Sequence, residues 1–270
     1  MITIPELKGK ELFKFLQANK TALISQKKSM LKKTEPVFYS PSFIYSKPDA
    51  NKADTGAAPE DTGMITVKVV ANTAMFFDSQ ADVLLPDNAK KSIKDRKGLI
   101  PHIHDHIWEV TSEVGDVKNI YYQDIPLKDL GVNQTGTAQA LIFETEIRKD
   151  YNEAIYNKYK AGKVNQHSIG LQYVNIALAY NDEDSKEEFA LWNKYINQII
   201  NKEAAEAAGY FWVVSEIKLM ENSSVLFGSN SLTPTLQDST KEQPSEDTVL
   251  QPQKSEVDWS KIANKFLLIN

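Results

Sequence analysis

The chain has 270 residues, of which 41% are hydrophobic and 25% charged, with a formal net charge of −5 and no cysteine. That length allows one substantial core with appendages, or two small domains. The mild negative charge gives no basis for general nucleic-acid affinity, and the missing cysteine excludes disulfides, thiolate nucleophiles and cysteine-ligated metals. No apolar run reaches the roughly eighteen residues of a membrane span. The N-terminal stretch MITIPELKGKELFKF lacks the pattern of a secretory signal. A soluble protein without a membrane partner is expected, suited to a reducing cytosol.

Residues 5–33 predict a helix or a broken pair of helices, because Leu12, Phe15, Leu16, Leu23, Ile24, Met30 and Leu31 recur near helical spacing. Eight lysines in the same stretch outnumber Glu6 and Glu11. Residues 1–37 are therefore expected to form a basic helical arm, its lysines either a solvated face or a dock for an acidic partner. Residues 38–63 read as a linker or long loop, rich in Ala, Asp, Pro and Gly over 46–63. Strand signals begin at Met64 with the alternation of Ile65, Val67 and Val69. Further strands are expected over 114–122, 137–147, 167–180, 210–221 and 223–228.

Two helices interrupt these strands. In one, Asp150 and Glu153 resemble a capping box, Tyr151, Ile155 and Tyr159 form a stripe, and Gly162 marks the stop. In the other, Ser185 and Glu188 form the box and Phe189, Trp192, Ile196 and Ile199 the stripe. Many strands, few helices and no regular βα alternation argue for a mainly β fold with flanking helices, a barrel or a sandwich. Residues 233–256 are polar enough to be disordered, and 257–270 read as a short docking segment carrying Trp259, Ile262 and Phe266.

Three of the four histidines, His102, His104 and His106, fall in LIPHIHDHIWEV, and on a regular strand they would share a face. Three chemistries compete for them. A metal-dependent hydrolase would use them as ligands. Their spacing, however, lacks one residue of the His-x-His-x-Asp-His of metallo-β-lactamase-like enzymes, and the later ligands of that family are missing. One of them could instead act as general base for a serine, since imidazole titrates near neutrality. The third reading is structural hydrogen bonding near a strand end. Ser168 supplies a candidate nucleophile in KVNQHSIGLQY, but the adjacent His167 would point to the opposite face of a strand and is a poor base for it.

Four separated stretches together resemble the prohead maturation serine proteases of tailed phages, which are similar in turn to herpesvirus assemblin. In NTAMFFDSQADVLLPDNAKKSI, Asp78, Asp82, Val83 and Pro86 match the opening motif. In LIPHIHDHIWEVTSEVGDV, Pro101 precedes His106 by five residues, and Val114, Gly115 and Val117 follow. In GKVNQHSIGLQY, Gly162, Ser168, Ile169, Gly170 and Leu171 fit the nucleophile strand. In LMENSSVLFGSN, Leu219, Glu221, Ser223, Val225 and Asn230 fit the last. The resemblance covers roughly residues 64–230, and residues 64–232 are taken as the protease domain.

The resemblance implies a closed or nearly closed β-barrel surrounded by helices, and a serine endopeptidase that cleaves scaffold or capsid-protein segments, and itself, during head maturation. Ser168 would be the nucleophile, His106 the base and Glu221 the residue that orients it. His104, followed by Asp105, is the alternative base, and His102 or His104 could stand third in the triad as a histidine does in assemblin. No cofactor or metal is implied. The partners would be the scaffold protein and the major capsid protein inside an assembling procapsid in the host cytoplasm, with the oligomeric state left open and a homodimer one candidate. A non-catalytic scaffold protein with a relic protease fold is the remaining alternative.

Overall fold

The computed structural model describes residues 2–32, 61–96 and 98–236. Most of the expected linker, the tail from 237 and the 257–270 docking segment lie outside the described residues. The elements in chain order are α1 (Gly9–Ser29), β1 (Leu31–Lys32), β2 (Met64–Thr73), β3 (Asp82–Leu84), α2 (Lys90–Asp95), β4 (His102–His104) and β5 (Glu113–Pro126). They continue with β6 (Thr137–Arg148), α3 (Glu153–Lys160), β7 (His167–Tyr180), α4 (Lys186–Tyr195), α5 (Lys202–Ala208), β8 (Tyr210–Ser224) and β9 (Thr235–Leu236).

The fold is mixed α and β. The nine strands among the described residues join one sheet, in the order β1-β7-β8-β4-β5-β6-β2-β9, with β3 added on β8. The path is open, so the closed barrel expected from the resemblance is not what forms. Its two ends are the two-residue strands β1 and β9, attached to β7 and β2 respectively. The segment leading into β9 spans the seam between β2 and β7. Val70 N donates to Pro234 O at 2.9 Å, Thr233 Oγ1 donates to His167 O at 2.7 Å, and Thr235 Oγ1 donates to Val164 O at 2.7 Å. Residues 233–236, expected to begin a disordered tail, are thus ordered by backbone pairing.

β8 organises the sheet. One edge pairs along its length with antiparallel β7, while the other carries β3 and then β4, both parallel. The two strands expected over 210–221 and 223–228 are one strand, because Asn222 does not interrupt the ladder; it pairs with Ile169 on one side and His102 on the other. The strand ends at Ser224.

α1 packs its buried Leu12, Leu16 and Leu23 into the largest apolar cluster, with Leu171, Leu178, Tyr180 and Trp212. Spacings of four and seven place these leucines on one helical face, and Phe13 stacks on Tyr180 at 5.3 Å. Two of its lysines reach carboxylates of the domain, Lys20 to Glu188 and Lys27 to the fully buried Asp82. The segment expected as a basic arm is therefore an integral part of the core.

α3 starts two residues later than its expected box. Asn152 is the cap, its side chain accepting from Ile155 N at 3.0 Å, and Tyr156 and Tyr159 rather than Tyr151 are buried. For α4, Ser185 is the cap residue as expected, but its hydroxyl bonds Asp182 and Tyr180 instead of the helix. Trp192, Ile196 and Ile199 pack with α5 against Phe211 and Val213 of β8.

Candidate active site

The site lies where β7, β8 and the end of β4 meet. Across the β7–β8 ladder, Ser168 is paired with Ser223 and Gly170 with Glu221. Residues 221 and 223 share one face by the strand period of two, and the partners 168 and 170 share it with them. On the other edge of β8, Ile103 is paired with Ser223.

His106 reaches this face because β4 is short. The strand stops at His104, and Asp105 and His106 both take left-handed backbone, φ 50° and 52°. Such conformations are uncommon outside glycine and need support from neighbouring structure. Three bonds hold this turn: Asp105 N to Ser224 O at 3.0 Å, His106 N to Ser223 Oγ at 3.1 Å, and Ile107 N to His104 O at 3.1 Å. The turn carries the His106 ring to Glu221, with Nδ1 and Oε1 2.6 Å apart. Ser223 Oγ donates to the other carboxylate oxygen at 3.0 Å. Glu221 is 2% exposed, Ser168 4% and His106 7%.

An ionised carboxylate only accepts hydrogen bonds, so the proton of a neutral His106 sits on Nδ1 and the lone pair on Nε2. That is the tautomer a general base requires. Ser168 also lines a small cavity with Asn72, Asp78, Leu84, Ser229 and Asn230.

Of the three clustered histidines, expected on one face, His102 and His104 keep strand spacing opposite Asn222 and Ser224, while His106 leaves that face for Glu221. His102 is fully buried in the core; His104 lies partly exposed against Asp105, its Nδ1 3.0 Å from Oδ2; His106 joins Glu221. The physical reason is the left-handed turn after His104, which ends strand alternation before His106. Among the described residues, no group of three or more His, Cys, Asp or Glu side chains is placed to hold a metal ion.

His167 faces away from Ser168, as strand alternation predicts, into a buried network whose proton direction follows from its end. Thr233 O only accepts, so His167 Nδ1 donates to it at 3.0 Å and Nε2 must accept, from Tyr159 OH at 3.0 Å. The Tyr159 oxygen then accepts from Ser224 Oγ at 2.7 Å, and Ser224 Oγ accepts from His102 Nε2 at 3.1 Å. His102 Nδ1 finally accepts from Thr145 Oγ1 at 3.0 Å. This direction is the one that holds with both imidazoles neutral. Burial keeps them so: it holds His102 well below its ordinary pKa, aided by nearby His167, and pushes His167 down to about 4. Burial likewise raises the Tyr159 phenol.

Other motif residues have structural duties. Asp78 Oδ1 accepts from the backbone of Gln80 and Asp82 at 2.8 and 2.9 Å, capping the turn into β3. Asp82 receives the Tyr173 hydroxyl and the Lys27 ammonium, and Lys27 lies over the rings of Tyr173 and Trp212. Asn230 donates to Asn72 Oδ1 and Thr73 O and accepts from Leu232 N, fixing the segment that crosses the seam. Sequence reasoning placed Ser223 in a motif without a role. The signal for one was its separation of two from Glu221, which puts both on one strand face.

No protein-family model matches the chain, and no curated protein or solved structure matches it either. No helix among the described residues is long and apolar enough to cross a membrane.

Proposed function

We propose that the protein is a serine endopeptidase with Ser168 as nucleophile, His106 as general base and Glu221 as the carboxylate behind it. The observation that carries this reading is the buried 2.6 Å bond from His106 Nδ1 to Glu221 Oε1, made on the strand face that also holds Ser168. In this reading Ser168 Oγ attacks a peptide carbonyl carbon while its proton passes to His106 Nε2. The tetrahedral intermediate then collapses, the proton goes to the departing amine, and an acyl ester remains on Ser168. Water, deprotonated by the same imidazole, releases the acid and restores the serine. Glu221 holds the ring in the required tautomer and stabilises the imidazolium.

The four-motif resemblance extends the proposal to a prohead protease of assemblin-like architecture, acting on scaffold and capsid-protein segments inside a procapsid and on itself. The separation of the three histidines weighs against the metal-hydrolase reading, and the assembled His106–Glu221 pair weighs against a relic scaffold. The test is labelling of the full-length protein with a fluorophosphonate probe, followed by intact mass after co-expression with scaffold and capsid proteins. Modification at Ser168 and cleavage lost in Ser168→Ala are expected. No labelling, with cleavage unchanged in Ser168→Ala, would remove the serine-peptidase reading.

A further inference from the structure

We propose that Ser223 is a positioning residue whose hydroxyl locks the base and the acid of the site into one arrangement. The inference rests on the serine-peptidase reading for its effect on rate, and on geometry alone for its effect on the His106–Glu221 pair.

Ser223 has one hydroxyl proton and gives it to Glu221 Oε2 at 3.0 Å, while its oxygen accepts the His106 backbone N–H at 3.1 Å. Glu221 Oε1 meanwhile accepts from the His106 ring at 2.6 Å. These contacts close a ring that runs from the carboxylate through the hydroxyl to the His106 backbone, through its side chain, and back. The ring bond alone would leave the carboxylate able to swivel about its last torsion, which is soft. The hydroxyl removes that freedom. It also anchors the left-handed residue that aims the imidazole.

Ser223 is fully buried and stands at the centre of the sheet, paired with Ile103 on one side and Ser168 on the other. The ring is thereby referenced to the nucleophile's own strand. Alanine at 223 would delete a donor and an acceptor together, leaving Glu221 Oε2 and His106 N–H each short of a partner in a buried place. A hydroxyl that served stability alone would not need to join these two catalytic groups.

The experiment uses the full-length chain with Ser223→Ala, Ser223→Thr and Ser223→Cys, read in two ways. The first is the low-field proton resonance of His106 Nδ1–H, identified by its loss in Glu221→Gln. The second is the rate of fluorophosphonate labelling at Ser168. Ser223→Ala is expected to lose or broaden the resonance and to slow labelling roughly 10- to 100-fold, the scale set by a small misplacement of catalytic groups. Ser223→Thr, which keeps the hydroxyl, should restore both to near wild type. A folded Ser223→Ala with the wild-type resonance and labelling rate overturns the proposal. Should the alanine variant not fold, Ser223→Cys decides in the same way, because a thiol is of similar size but a weak donor and acceptor. Should wild-type Ser168 resist labelling and Ser168→Ala cleave unchanged, the peptidase reading fails, and the resonance still decides for or against the Ser223 lock.

Discussion

Glu221 lays its carboxylate across Gly170: a Cβ on residue 170 would stand 2.2 Å from Oε1 and 2.8 Å from Cδ. Both separations are far below any van der Waals contact. Glycine stands two residues after Ser168 because the Glu221 side chain needs the room on the facing strand. The obstructing atoms belong to a side chain, so Gly170→Ala should fold. Its Glu221 must then swing away from His106. Labelling of Ser168 should fall by about 10- to 100-fold, with loss of the His106 low-field resonance; unchanged values for both would contradict the seat described for Glu221.

The three members of the proposed triad should behave as a unit. Ser168→Ala and His106→Ala should each abolish most cleavage, and the double variant should be little worse than either. Glu221→Gln should cost less, since its role is orientation and charge support. His104→Ala should keep substantial activity, because His104 lies against Asp105 at the surface. Intact mass of the chain and of co-expressed scaffold reads all five. Cleavage abolished in His104→Ala but kept in His106→Ala would reverse the choice of base.

Acid should destabilise the fold through its buried histidines. Both His102 and His167 have folded-state pKa values lowered by burial, His167 from 6.5 to about 4. The unfolded chain therefore binds protons that the folded one refuses. For His167 the stabilisation is complete above about pH 6.5 and is lost as pH falls toward 4, at about 1.4 kcal/mol per pH unit, and His102 acts in the same direction. His167 alone contributes about 3 kcal/mol across that window. Urea midpoints measured from pH 7 to pH 4 should fall steadily; a flat profile would mean that the imidazoles are not held neutral.

Gly115 provides the contrast to Gly170. A Cβ there would lie 2.0 Å from Glu146 O and 2.7 Å from Ile147 Cα, both backbone atoms of β6. No rotamer change relieves that clash, so β5 must move from β6. Gly115→Ala should cost about 3 kcal/mol or prevent folding, as overpacking against an immobile neighbour does. A urea-denaturation loss below about 1 kcal/mol would contradict the tight approach of the two strands.

Much of the secondary structure was legible because period and burial agree. The alternation from Met64 and the apolar stretches over 137–147 and 167–180 predict β2, β6 and β7 closely, since each strand buries at least one face. The three-residue strands β3 and β4 left no such trace; they exist because β8 offers an edge to pair with. Leu12, Leu16 and Leu23 predict an apolar helix face. The surrounding lysines suggested an arm, and only packing showed that the face closes the core. For the site, sequence supplied the residue types, but it placed Glu221 and Ser223 in separate strands, and their shared face came only with the unbroken β7–β8 ladder. It could not say which histidine would serve. His102, His104 and His106 are equivalent by spacing, and what sets His106 apart is a left-handed turn held by Ser223 and Ser224, residues more than a hundred positions away. Local periodicity is written in neighbouring residues, whereas the direction of a side chain after a strand end is set by whichever distant groups satisfy its backbone.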